Sequence, residues 1–142
     1  LDPNGQPLEL YEIWNTMIQV KPLHKIGEDA RGETHVFDMD RTGQFIVAHR
    51  KAGSLSGRHY HKGRSPYKNP ETLIIMNGEA TINWRNAKGT EKGSVKVYAP
   101  SFVYIDAWIW HEVVADTDMV LYELNSLADG NGDTFQLDEL ND

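Results

Sequence analysis

The feature that most constrains this chain is a series of short runs rich in Val, Ile, Tyr, Phe and Trp, each cut off by turn residues. Between Thr34 and Leu124 the candidate strands are Thr34–Met39, Gln44–Arg50, Arg58–His61, Glu71–Met76, Ala80–Arg85, Ser94–Tyr98, Phe102–Ile105, His111–Ala115 and Met119–Leu124. Asp40–Gly43, Asn77–Gly78, Ala87–Gly89, Ala99–Pro100 and Asp116–Asp118 separate many of them. Short strands at this spacing predict an all-β sandwich or barrel. Asn77-Gly78 lies between two apolar runs and predicts a hairpin, because both residues tolerate positive φ. Leu8–Val20 reads as either a short helix or an edge strand. From Ala128 to Asp142 the chain is acidic and Gly-rich and reads as a partly ordered tail.

Composition narrows the class further. A chain of 142 residues suits one domain, here residues 1–142 with a barrel core over about 26–126 and a tail over 127–142. Its longest apolar run, Leu73 to Met76, is far short of the roughly 18 residues that span a bilayer, so no membrane span is expected. Leu1 to Pro7 is polar and does not resemble a signal peptide. The net charge of -7 disfavours a nucleic-acid partner. Arg50, Lys51, Arg58, Lys62, Arg64 and Lys68 nevertheless form a local basic stretch fit for a small anion such as a diphosphate. With no cysteine, disulfides and thiolate chemistry are excluded, and a cytoplasmic location is the expectation.

The chemical signal lies in Gly53-Ser-Leu-Ser-Gly-Arg-His59-Tyr-His61, followed by Glu71-Thr-Leu-Ile-Ile-Met-Asn-Gly78. Side chains alternate along a strand, so His59 and His61 face the same way, roughly 7 Å apart. Glu71 opens the next strand, and His111 lies at the mouth of a later one. Together they make an imidazole and carboxylate set suited to a divalent ion such as Zn, Fe, Mn or Ni. His24, His35 and His49 have no partner pattern. Asp129-Gly-Asn131-Gly-Asp133 opens like a calcium loop but has Thr134 and Leu140 where Gly and Glu are needed.

These residues resemble the cupin superfamily, whose first motif reads G-x5-H-x-H and then E-x6-G. Gly53, His59 and His61 match it, as do Glu71 and Gly78, but the gap of nine residues (62–70) replaces three or four. Of the second motif only His111 survives. The implied fold is a single-domain jelly-roll barrel with a short N-terminal extension.

A closer resemblance, over about Ile26 to Leu140, is to sugar-nucleotide epimerases and ketoisomerases and to the cupin domain of capsular polysaccharide-assembling enzymes. Asp29-Ala-Arg31-Gly32, Ser56 to His61, Gly43-Gln44 through Ala48-His49, Asn125-x3-Asp129 and Asp133-Thr134-Phe135 carry it. It implies proton transfer α to the carbonyl of a nucleotide-linked keto-sugar, in surface polysaccharide synthesis. With metal bound, His59 is a ligand, and Tyr60, Tyr104, Tyr122 or His49 must move the proton. In metal-free relatives the histidine matching His59 is the base and a late-strand tyrosine, here Tyr122, is the acid. Glu71 favours the metal version.

Arg31, Arg50, Arg58, Lys62 and Arg64 are candidates for pairing with the diphosphate, and Tyr104, Trp108 and Trp110 for lining the substrate. Two alternatives stay open: a metal-dependent oxygenase or lyase acting on a small organic acid, and a non-catalytic sugar- or metal-binding cupin. Small cupins usually pair edge strands, so a homodimer is expected.

Overall fold

A computed structural model describes residues 17–137. The elements in chain order are β1 (Ile18–Pro22), β2 (His24–Asp29), β3 (Gly32–Val36), β4 (Ile46–Arg50), β5 (Leu55–His59), β6 (Glu71–Asn77), β7 (Glu79–Asn86), β8 (Lys92–Tyr98), β9 (Ser101–Ile105), β10 (Ile109–Ala115) and β11 (Met119–Glu123), then a 3-10 turn over Leu127–Gly130. They form a five-stranded sheet in the order β1-β9-β6-β11-β4, a four-stranded sheet in the order β5-β10-β7-β8, and a separate β2-β3 hairpin. Every pairing is antiparallel. This is the jelly-roll architecture that the strand pattern and the cupin resemblance lead one to expect.

From β4 onward the chain changes sheet at almost every turn, and only β7 and β8 are consecutive neighbours in one sheet. Asn77-Gly78 is therefore a corner between sheets and not the expected hairpin. Gly78 has φ 88°, and an added Cβ would lie 2.6 Å from Thr117 Oγ1. Positive φ and close packing both demand Gly there, but the dipeptide alone cannot say which strand pairs next.

Between the two sheets lies the main core. Leu73, Ile75, Val103 and Leu121 from one side meet Ile82, Val97, Val113 and Ala115 from the other, all nearly or fully buried. Each large aliphatic side chain buried here contributes about 1.5–3 kcal/mol. β6 is covered on both faces, since Ile74 packs outward against Leu23, Phe102 and Leu124. That double cover is why its sequence reads as an unbroken apolar run.

Strand edges differ from the sequence reading in instructive places. β1 is an edge strand on β9, so the Ile18–Val20 part of Leu8–Val20 is extended, while Leu8–Thr16 lies outside the described residues. β2 was not legible because all six of its residues are exposed and show no apolar period. Its turn to β3 is the Asp29-Ala-Arg31-Gly32 sequence. Residues 127–137 are not a loose tail: Asp133 is 1% exposed and is built into the site described below. Among the described residues no helix is long and apolar enough to cross a membrane.

Candidate metal centre

His59 ends β5 and pairs in register with His111 of β10, while Glu71 is the first residue of β6. His61 lies two residues past β5, on no strand, which corrects the expectation that one strand carries both histidines. Tyr60 nevertheless keeps an extended conformation, because its N–H donates to Phe135 O at 2.9 Å and its carbonyl accepts from Phe135 N–H at 2.9 Å. Alternation thus continues through the bridge, and both imidazoles face inward. One potential ligand atom from each of His59, His61, Glu71 and His111 falls within 4.8 Å of the others. The ring centroids of His59 lie 4.7 Å from His61 and 5.0 Å from His111.

A bulge makes this approach possible. The β5–β10 register slips between His111 and Glu112, where Arg58 takes φ 64° and Gly57 takes φ 79°. A Cβ on Gly57 would sit 3.0 Å from the His111 carbonyl oxygen. Gly57 therefore lets the two histidine-bearing strands close on each other.

The polar atoms in this cluster are arranged for a cation. His61 Nδ1 lies 2.6 Å from the Asp133 carbonyl oxygen. A carbonyl can only accept, so Nδ1 carries the hydrogen, and in the neutral ring Nε2 presents a lone pair. His111 is fixed the same way, its Nδ1–H donating to the Ile109 carbonyl at 3.0 Å. His61 Nε2 sits 2.8 Å from Glu71 Oε2, an ion-pair distance if the ring is protonated. The direction is wrong for a hydrogen bond, and both atoms are buried without a hydrogen-bonding partner. Two lone pairs facing each other in a dry site repel unless a positive charge lies between them. Backbone carbonyls that fix the tautomer are the usual outer support of imidazole ligands.

Electrostatics agree with the geometry. Burial pushes the His59 imidazole down to about 4, helped by the neighbouring His111 and His61 rings. Burial likewise pushes His111 down. Burial alone would raise Glu71, yet His111, His61 and Lys68 hold its carboxyl well below the usual range. A lowered pKa at His59 and His111 and an ionised Glu71 carboxylate both run in the direction that metal ligation requires.

The nine-residue gap before Glu71 does not displace it. Residues 62–70 and the C-terminal segment lock together as a buttress. The Asp133 carboxylate accepts from the backbone N–H groups of Lys62 (2.8 Å), Gly63 (3.0 Å) and Arg64 (2.8 Å). Ser65 Oγ donates to Asp129 at 2.8 Å, and the Arg64 guanidinium donates to the Gly132 carbonyl at 2.6 Å. Asp129 and Asp133 are thus spent on internal hydrogen bonds, consistent with setting the calcium-loop reading aside. The same insertion buries Lys68, whose Nζ is 2.9 Å from Asn125 Oδ1 and 3.6 Å from Glu71 Oε2.

Two adjoining cavities open beside the cluster. The first, about 180 Å3, is lined by Arg50, Ser56, His59, Glu71, His111 and Glu123 among others. The second, about 310 Å3, includes His59, His61, Lys68, Glu123, Asn125 and Thr134. His59 and Glu123 belong to both.

Other residues singled out from the sequence scatter. Arg50 stands at the cavity, its Nε donating to Ser56 Oγ at 2.8 Å. Arg58 faces the outside of the four-stranded sheet, 3.3 Å from Glu112, in a separate groove with Trp110. Lys62 lies over the rings of Trp108 and Phe135, and Tyr60 stacks on Trp108 at 5.8 Å. Arg31 pairs with Asp29 on the exposed hairpin.

Tyr122 and Tyr104 lie apart from the histidines, Tyr104 on the wall of a separate cavity. Both pack in the outer cluster with Ile74 and Phe102, on the opposite face of the five-stranded sheet from the histidines. Strand alternation decides this: Leu121 and Glu123 face the cavity, so Tyr122 between them cannot. Tyr60 is excluded from the cavity by the same rule, as it stands between His59 and His61.

Sequence reasoning did not place Glu123, Lys68, Asn125 or Asp133 beside the histidines, although Lys68 stood in the basic stretch and Asn125 and Asp133 in the motifs of the resemblance. For Glu123 a signal existed: it continues the inward-facing series Met119, Leu121, and a carboxylate ending a buried series is unusual. The other three are brought in by loops, whose path no periodicity reveals.

Comparisons with known proteins follow this geometry. Among curated proteins no sequence matches. The fold is shared with a double mutant of the QdtA 3,4-ketoisomerase from Thermoanaerobacterium thermosaccharolyticum in complex with TDP, at 21% identity, TM-score 0.67, and coverage of 85% of this chain and 88% of that one. It is also shared with ChmJ, a 3'-monoepimerase from Streptomyces bikiniensis in complex with dTDP, at 16% identity, TM-score 0.68, and coverage of 87% and 70%. The capsular polysaccharide assembling protein CapF from Staphylococcus aureus is 27% identical with TM-score 0.55, over 83% of this chain but only 33% of CapF. The model of the polysaccharide biosynthesis C-terminal domain matches residues 27–134. The chain has a cupin-type jelly-roll fold, and it belongs to the polysaccharide biosynthesis C-terminal domain family.

Proposed function

We propose that this cupin holds a divalent cation through His59, His61, Glu71 and His111 and catalyses isomerisation or epimerisation of a nucleotide-linked keto-sugar in polysaccharide biosynthesis. The observation that carries the reading is the pair of imidazoles whose Nδ1–H groups are tied to carbonyls. Their Nε2 lone pairs are thereby turned toward a buried carboxylate at a cavity wall. Support for the substrate class comes from fold neighbours that bind TDP or TDP-4-keto-6-deoxyglucose. Zinc, iron, manganese and nickel all suit this donor set.

When bound, the cation supplies Lewis-acid polarisation of a carbonyl oxygen. The chain's own groups do the rest. Arg50, at the cavity, is placed to meet the diphosphate as a bidentate donor. Lys68 keeps a positive charge beside Glu71, where it helps hold negative charge developing on substrate oxygen. Leu73, Val113 and Leu121 line the inner end of the first cavity and exclude water, which strengthens each of these interactions.

The test joins metal analysis to isotope exchange. The purified protein should carry about one equivalent of a divalent metal, and His61→Ala should lose it while remaining folded. With metal bound, the protein should wash solvent deuterium into TDP-4-keto-6-deoxyglucose at a carbon next to the carbonyl. Equal metal content in wild type and His61→Ala, or no exchange across a panel of TDP- and UDP-linked 4-keto-sugars, refutes the reading.

A further inference from the structure

One carboxyl in the cavity is unused by the cation cluster. Glu123, at the end of β11, pairs across the sheet with Ile46 on one side and Leu73 on the other, so its side chain faces inward as Leu73 does. It lines both cavities, and among the described residues the only other one that does so is the cluster's His59. No hydrogen bond or ion pair reaches its carboxyl among the described residues. Glu123 is half-buried, and an unpartnered carboxyl on a cavity wall beside a cluster of this kind is placed to act on a ligand.

The rival proton carriers are all accounted for. His59, His61 and His111 offer their lone pairs to the cluster. Tyr104 and Tyr122 lie on the outer face of the sheet, Tyr60 stacks on Trp108, and His49 is exposed on β4, where its neighbours Ala48 and Arg50 take the inward side. Lys68 is anchored on Asn125 and beside Glu71.

We propose that Glu123 is the catalytic base that removes the proton next to the substrate carbonyl and returns it. The inference rests on the keto-sugar reading above and names the group that reading lacked. In the step, the C–H bond breaks and its proton moves to a Glu123 carboxylate oxygen. The electron pair becomes the new C=C bond, and the carbonyl π pair moves to oxygen as the enediolate charge. Delivery of that proton to the former carbonyl carbon, with the neighbouring hydroxyl proton passing to the first oxygen, re-forms a ketone one carbon along, so no oxidant or reductant is needed. The groups around Glu123 favour such a role. Burial and the charge of Glu71 push its carboxyl up, against opposing effects of Lys68, Arg50 and His61, and a more basic carboxylate is a better proton acceptor at neutral pH.

The experiment uses wild type, E123Q and E123D, each loaded with the metal found in the purified protein. Three quantities are measured: metal content, TDP affinity, and deuterium uptake into TDP-4-keto-6-deoxyglucose. E123Q, which keeps size but cannot accept the proton, should lose about 10²–10⁴-fold in uptake rate. Its metal content and TDP affinity should stay within threefold of wild type. E123D keeps the carboxyl but shortens its reach and should fall between the two. Uptake by E123Q within threefold of wild type overturns the role of Glu123 and leaves the keto-sugar reading standing. Loss of metal from E123Q overturns it too, by making Glu123 part of the cation site. Absence of uptake in metal-loaded wild type, over the same sugar panel, removes both.

Discussion

Replacing Asp133 by Asn tests whether the C-terminal segment is structural support for the cation cluster. Gly63 N–H and Arg64 N–H converge on Oδ2, and Lys62 N–H meets Oδ1. An amide oxygen in the Oδ2 place keeps two of these bonds but makes them neutral, which loses about 1 kcal/mol each. The amide NH2 then faces the Lys62 N–H, donor against donor, and leaves a buried group unpaired at about 1–3 kcal/mol. The expected loss is about 3–5 kcal/mol, a large share of the 5–15 kcal/mol typical of a domain.

Because the Asp133 carbonyl also orients His61, cation affinity should fall about 10–100-fold, the usual cost of losing an outer-shell partner. Urea unfolding of the metal-free protein measures the first quantity, and competition with a chelator measures the second. A stability change below about 1 kcal/mol with unchanged affinity would refute the buttress argument.

Three further outcomes follow from particular contacts. Gly57→Ala places a methyl against the His111 carbonyl at positive φ, so it should cost about 1–3 kcal/mol in thermal unfolding and weaken cation binding; neither would change if the bulge were incidental. Tyr122→Phe should leave metal content and deuterium uptake at wild-type values, since the ring packs on the outer face; a tenfold loss of uptake would restore it as an acid. Asp129 is held below the usual carboxylate range, chiefly by the Ser126 N–H. Its stabilisation is therefore present above the unfolded-state pKa of about 3.9 and lost as pH falls through the lower folded-state value. The stability gap between wild type and Asp129→Asn should shrink between about pH 5 and pH 2, and a constant gap would contradict that.

The strands that build the core were legible because burial imposes a period of two, as in β7, or a continuous apolar run, as in β6. β1 and β2 were not, since an edge strand and an exposed hairpin carry no such constraint. His59, His61, Glu71 and His111 stood out because alternation puts the first two on one face and because Gly53, His59, His61, Glu71 and Gly78 follow the cupin motif, with His111 opening a later strand. Tyr122 was singled out by its resemblance to a late-strand tyrosine of relatives, and its register places it on the face away from the histidines. Reading Glu123 by the same register would have found the inward carboxyl.

By itself the sequence determined an all-β chain with one inward-facing imidazole and carboxylate set, because alternation and turn chemistry act over a few residues. It also supplied the glycines that the bulge and the corner need. Only the tertiary structure decided that Asn77-Gly78 joins two sheets, that Asp133 returns to cap residues 62–64, and that carbonyls of residues 109 and 133 fix the histidine tautomers. Those contacts join residues far apart in the chain, or depend on the angle at which an atom arrives, and no local pattern of residue types encodes either.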